Sequence, residues 1–289
     1  MTSVPSAGRA ALLCCLAIAG FAANSLLTRL ALRPRLIDAA SFALVRLVTG
    51  AGALMILAWL RKPPASLGHG SWVSALLLFG YAAPFSFAYL HMGAGVGALV
   101  LFGSVQATMI GWGLWRGERP RVGEWAGLLI ALAGLAVLTL PGATRPDLVS
   151  FSLMVVAGMA WGAYSLRGRA SRDALGATAG NFVRTVPFVI VLGAPGWIAG
   201  STTAHATGAG VALAVASGAV ASGLAYTLWY AALPALSALV AALVQLSVPI
   251  LAALAAVVLL EEPLTLRLVA AGALVLCGVA FALWTRSRR

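Results

Sequence analysis

Apolar runs of about 20 residues follow one another from Ala10 to the arginine-rich tail at Arg286, each long enough to cross a hydrocarbon layer of roughly 30 Å as a helix. That repetition leaves little choice of fold. Of the 289 residues 62% are hydrophobic and 9% charged, against roughly a quarter charged in an ordinary soluble domain, so no water-soluble core of this size could bury the apolar surface. The chain reads as an all-α polytopic membrane protein. Its net charge of +12 is spread thinly among membrane helices and forms no basic face for phosphates, which excludes a nucleic-acid reader along with a soluble enzyme or a secreted disulfide module. Cys14, Cys15 and Cys277 all fall inside apolar runs without metal-ligand spacing, and no metal or other cofactor is expected.

Reading the runs between charge or proline clusters gives ten spans, near 10–31, 37–60, 72–92, 96–115, 123–140, 148–166, 176–198, 209–231, 236–260 and 266–284. They leave too little chain for a folded domain outside the bilayer. Lys and Arg number twelve on one side (Arg9, Arg61, Lys62, Arg116, Arg119, Arg121, Arg167, Arg169, Arg172, Arg286, Arg288, Arg289) and five on the other (Arg29, Arg33, Arg35, Arg145, Arg267). Because cytoplasmic loops keep the positive excess, both termini are expected in the cytoplasm. Arginine outnumbers lysine eighteen to one, which together with abundant Ala and Gly hints at a GC-rich bacterial gene and hence an inner-membrane location.

A shift of 138 superimposes Gly20 on Gly158, Ala22 on Ala160, Arg29 on Arg167 and Arg46 on Arg184. A shift of 143 to 144 carries Gly80 onto Gly223, Ala88 onto Ala231, Glu118 onto Glu262 and Gly134 onto Gly278, with an insertion of about six residues near 199–210 accounting for the change. The halves are therefore 1–142 and 143–289. Five helices is an odd number, so the second half enters the membrane upside down relative to the first. Such inverted repeats characterise secondary transporters that bind substrate near the midplane. The pairing of the first span with the sixth also argues against reading the first as a cleaved signal peptide.

The segment Gly117-Glu118-Arg119-Pro120 precedes a helix carrying Gly127 and Gly134, and Leu260-Glu261-Glu262-Pro263 precedes one carrying Gly272 and Gly278. In these features the chain resembles the ten-helix branch of the drug/metabolite transporter superfamily, with two EamA-type units. Glu261 stands where the pattern has glycine. The expected proline 13 residues before the second motif is Pro249, whereas Val105 stands at the first copy's position. The resemblance implies a transporter of small molecules, and similarity to amino-acid exporting members implies efflux of neutral or aromatic amino acids.

All seven carboxylates, Asp38, Glu118, Glu124, Asp147, Asp173, Glu261 and Glu262, fall in or beside loops or at helix ends. No single one is expected to act as a deep proton site. His69 and His205 lie in loops, and His91 near a span end. Arg46 and Arg184 lie about nine residues, hence about 13 Å, into their spans. Either could pair with a carboxylate on a substrate, or both could snorkel to an interface or bond backbone carbonyls at the join of two helices, as shared structural features. Their shared position favours the second reading.

Asymmetry between the halves marks candidate contacts for an asymmetric substrate. Tyr81, Phe85 and Tyr89, four apart beside Pro84, correspond to Leu224, Leu228 and Ala232; Trp161 corresponds to Ala23, and Asn24 to Gly162. Gln245-Leu246-Ser247-Val248-Pro249 should kink, freeing carbonyls as acceptors. Ser104 and Thr108 share a face, with Gln106 on another. Asn24, Tyr81, Phe85, Tyr89, Trp161, Ser247 and Pro249 are the expected substrate contacts, with Arg46, Arg184, Gln245 and Ser104 as further candidates. The aromatics could equally pack against lipid or sit in interfacial belts. Gly123 and Gly127 form a GxxxG pair suited to helix packing or dimerisation, so a monomer or a homodimer is expected. An exchanger of phosphorylated metabolites or nucleotide sugars would need several cations in the cavity, and an intramembrane enzyme would need a catalytic group at depth; neither pattern is present.

Overall fold

The computed structural model describes residues 5–32, 34–61, 64–92, 94–139, 147–198, 204–259 and 263–287. Arg33, Lys62, Gly93, Arg145, Leu260, Glu261, Glu262, Arg288, Arg289 and the stretch 199–203 lie outside them. The spans are Ala7–Leu32, Ala39–Leu60, Trp72–Ala88, Ala94–Trp115, Val122–Thr139, Leu148–Gly168, Ala174–Ile198, Gly208–Ala235, Ala238–Leu259 and Leu266–Ser287, numbered here first to tenth. Nine are long and apolar enough to cross a bilayer, and the third is a shorter apolar helix. It ends at Ala88, four residues before the expected end, with Tyr89 as its C-cap. A bridge between Ile37 and Ala206 is the one β-like pairing among the described residues.

Local chemistry sets the helix starts. Asp38, Ser71, Asp147, Asp173, Thr207, Ser237 and Thr265 each accept the amide of the residue three further on, satisfying a donor that the first turn would leave orphaned. At Asp147, outside the spans, the Ser150 amide holds the carboxyl below the ordinary carboxylate range. Large apolar side chains such as Ile56, Trp59, Leu76, Leu129 and Val191 face outward, an arrangement suited to lipid and not to water.

The third span packs on the sixth and seventh, the fourth on the sixth and ninth, the second on the seventh and eighth, the first on the eighth and ninth, and the fifth on the tenth. For these pairs, exchanging each span for the one five places away returns the same neighbours. The fifth and tenth pack closely because Gly127 lies against the Gly278 carbonyl and Ala282, and Gly134 against Ala271. The GxxxG face is thus used inside the chain. Loops assigned to one side by the charge count touch one another: Arg61 pairs with Asp173 at 2.6 Å and Arg286 with Glu124 at 3.0 Å. At the opposite end the His205 amide donates to the Asp38 carboxylate.

Candidate functional site

Three irregular stretches converge in the middle of the bundle. Pro84 sits inside the third span, whose helix runs on through it to Ala88. The eighth widens into a π-helical turn over Ser217–Leu224. The ninth breaks at Leu246, between Ala238–Gln245 and Ser247–Leu259, because Pro249 has no N–H for the Gln245 carbonyl and its ring crowds that turn. Such breaks at membrane depth are tolerated where backbone is buried in protein or lines a cavity. The π-turn is possible because its small residues let the second span come close: a Cβ on Gly218 would strike the Arg46 carbonyl.

Between these breaks lies a cavity of about 30 Å³. Phe21, Asn24 and Ser25 of the first span form one wall, and Tyr81 and Phe85 of the third another. Leu101 and Phe102, Trp161, Tyr226, and Gln245 with Val248 close the remaining sides. The rings interlock around Trp161, with centroids 5.3 Å from Phe21, 5.0 Å from Tyr81 and 4.7 Å from Tyr226. Trp161 donates its indole N–H to Gln245 Oε1 at 2.5 Å, and Ser217 donates to Asn24 Oδ1 at 2.6 Å. The space admits about two waters and is far below the roughly 300–1,000 Å³ that ordinary ligands occupy. A solute enters only if these side chains or helices part.

The two intramembrane arginines differ. Arg46 is fully buried; it donates from Nε to Ser222 Oγ at 2.9 Å and from Nη2 to the Tyr226 hydroxyl at 2.7 Å, and its guanidinium carbon lies 5.6 Å from the Tyr81 ring centre. Its Nη1 has no partner among the described residues. Arg184 is half-buried and donates to two backbone carbonyls, Leu67 O at 2.9 Å and Gly180 O at 3.0 Å. Arg184 thus bonds backbone carbonyls, whereas Arg46 bonds side-chain hydroxyls of the eighth span.

Residues 149–284 match the EamA-like transporter family. The chain belongs to that family. An uncharacterized protein of Pseudomonas aeruginosa is 49% identical over 281 residues, covering 97% of this chain and 96% of that protein. A protein of known crystal structure, 21% identical, superimposes with a TM-score of 0.77 over 97% of this chain and 99% of its own, and so has the same fold. The chain is therefore a multi-pass membrane transporter of small molecules, within the drug/metabolite transporter superfamily.

In this EamA-like transporter the expected contact residues divide. Asn24, Tyr81, Phe85, Trp161 and Gln245 meet at the cavity, and Arg46 stands behind its tyrosines. Tyr89 lies outside the cavity wall: at the C-cap of the third span it packs its ring 4.7 Å from Phe85 and lies against Gly97. Ser247 and Pro249 flank the lining residue Val248 without lining the space themselves. Ser104 and Thr108 bond back to the carbonyls of Val100 and Ser104 and pack against Gly158 and Gly162, so the expected polar path along the fourth span is replaced by helix packing. Gln106 ties that span to the ninth through the Ala242 carbonyl at 2.7 Å. Sequence reasoning missed Phe21, Phe102 and Tyr226. Ser222, Tyr226 and Tyr230, spaced by four, were the available signal for the last.

The Gly-Glu motif of the EamA-like transporter has a structural reading in its first copy. Gly117 adopts φ 83°, a left-handed conformation that glycine takes without strain. Together with the Glu118 N–H to Gly113 carbonyl bond, it terminates the fourth span in a Schellman turn. The turn delivers Glu118 to the first amides of the ninth span, accepting from Ala238 N at 3.0 Å, while Arg169 lies 3.2 Å from the same carboxylate. Nearby Arg119, Arg169 and Arg286 border an open cleft of about 500 Å³. Arg169 and Arg286 are already paired with Glu118 and Glu124, and the cleft sits at the loop end of the bundle, which makes it a poorer site than the aromatic cavity. The second copy, Glu261-Glu262, lies outside the described residues.

Proposed function

We propose that this transporter moves small neutral or aromatic metabolites, amino acids foremost, out of a bacterial cell across the inner membrane by alternating access. The two units, 1–142 and 143–289, would act as inverted halves about an axis in the membrane plane, with both termini in the cytoplasm. The observation that carries this reading is the small aromatic cavity beside a proline-bearing third span, a π-turn in the eighth and a break in the ninth, since broken helices at midplane mark the substrate sites of such transporters. Support for the two-fold relation comes from the neighbour set, unchanged when each span is exchanged for its counterpart.

Exchange of phosphorylated metabolites or nucleotide sugars gains no support. Arg184 is turned to backbone carbonyls, leaving Arg46 as the one cation close to the cavity among the described residues. The described carboxylates lie at helix ends and loops, so gradient coupling would run through water or backbone groups and not through one essential acid.

The test is uptake of labelled L-phenylalanine and L-tryptophan by purified protein in liposomes, with and without a proton gradient. Saturable uptake above protein-free liposomes is expected; its absence for every aromatic and small neutral amino acid would overturn the substrate reading. For orientation, Ser3→Cys and Ser287→Cys in a protein lacking its native cysteines should both resist an impermeant thiol reagent applied to intact cells. Labelling of either one would contradict the proposed topology.

A further inference from the structure

We infer that Arg46 anchors a carboxylate of the transported molecule, so that the substrate class narrows from neutral metabolites in general to acids and zwitterions. This rests on the amino-acid reading above and deepens it. A guanidinium fully withdrawn from water in a membrane span is costly unless its charge is compensated, and such groups mark ligand pathways or internal pairs. Arg46 has no internal counter-charge among the described residues. Asp38 is engaged by the amides of Ser41 and His205, Glu118 by the ninth span and Arg169, Glu124 by Arg286, Asp147 by Ser150, and Asp173 by Arg61.

What surrounds Arg46 is neutral: the hydroxyls of Ser222 and Tyr226, and the ring and hydroxyl of Tyr81. These supply dipoles and no negative charge, and they leave Nη1 unpartnered. Tyr81 and Tyr226 also form part of the cavity wall. The charge therefore lies one aromatic ring behind the space where a solute would sit. Rotation of either tyrosine brings a carboxylate into reach of Nη1, where the planar guanidinium can take it in a two-pronged pair. The ammonium end of a zwitterion would remain against the faces of Trp161 and Phe85. Arg184 is the internal control. At the matching position its Nη1 bonds carbonyls of its own helix and of Leu67, with no ring-lined cavity beside it among the described residues.

The experiment titrates purified protein with L-phenylalanine, phenylalaninamide and 3-phenylpropionate, reading tryptophan fluorescence, since Trp161 lines the cavity. Both carboxylates should bind at least about tenfold more tightly than the amide. Arg46→Gln should weaken both carboxylates about tenfold or more and leave the amide within about twofold, with Arg46→Lys in between. If the amide binds the parent protein as well as the acids do, or if Arg46→Gln preserves the preference, the inference fails while the amino-acid reading stands. If neither carboxylate binds a monodisperse protein, both fail together. Should Arg46→Gln not fold, the acid-to-amide ratio of the parent and of Arg46→Lys still decides.

Discussion

Arg46 and Arg184 stand 138 residues apart at one position of the sequence repeat, and their surroundings are opposite. Arg46 faces the eighth span, whose π-turn and following helix present Ser222 and Tyr226. Moved back by 143, those positions in the third span are Phe79 and Ala83, which offer no hydroxyl. Arg184 has nothing to bond there and turns to the carbonyls of Gly180 and Leu67. The span opposite therefore sets what a charge at a repeated position can do. The same contrast separates the cavity, rich in rings and broken backbone, from the fifth and tenth spans, whose close glycine contact only holds the scaffold together.

The comparison breaks most visibly by neutralising each arginine in turn. Arg46→Gln should lower transport of an aromatic amino acid about 30- to 140-fold, the loss of a charge-assisted pair of about 2–3 kcal/mol. Arg184→Gln should keep most of the transport and lose about 0.5–1.5 kcal/mol of stability with its bonds to the Leu67 and Gly180 carbonyls, read as a lower melting temperature in detergent. Equal loss of transport in both variants, at equal expression, would erase the distinction.

Next in size is Gly127→Leu. A side chain there meets the Gly278 carbonyl and Ala282, and overpacking of this kind costs about 1–3 kcal/mol. Thermal melts should fall while the KM of whatever protein remains folded stays unchanged. A changed KM would bring the fifth and tenth spans into the substrate path.

Trp161→Ala and Tyr81→Ala should each reduce transport about fivefold, the effect of one aromatic contact of about 1 kcal/mol, and Trp161→Ala should weaken large aromatic substrates more than small ones. Parent-like transport by both would remove the cavity from the mechanism. The smallest effect belongs to Glu118→Gln: its ion pair with Arg169 is partly exposed and contributes about 0–1 kcal/mol, so a slight drop in melting temperature with intact substrate preference is expected.

The spans were legible in sequence because their starts are local events, a Ser, Thr or Asp bonding the amide three residues on before an apolar run. The third span was read too long because Tyr89 and Leu90 continue its apolar pattern past the point where the helix caps at Tyr89. About half of the cavity wall was legible. Trp161, Tyr81 and Asn24 break the repeat, and Gln245 sits where Pro249 opens the helix. Phe21, Phe102 and Val248 were not, since an apolar residue facing a cavity has the same local pattern as one facing lipid. Tyr226 was not either, because its counterpart Ala83 lies off the Tyr81, Phe85 and Tyr89 stripe and because a π-turn shifts the phase of everything after it. The hydroxyls of Ser104 and Thr108 looked available and are taken by their own helix.

The most direct test is a structure of the protein saturated with L-phenylalanine. The account predicts density for the ligand between Tyr81, Trp161 and Tyr226, its carboxylate within hydrogen-bond distance of Arg46, in a cavity grown well beyond the present volume of about 30 Å³. Ligand found instead in the arginine-bordered cleft beside Glu118 or on the lipid-facing surface, with Arg46 still bonded to Ser222 and Tyr226 and the cavity closed, would contradict it.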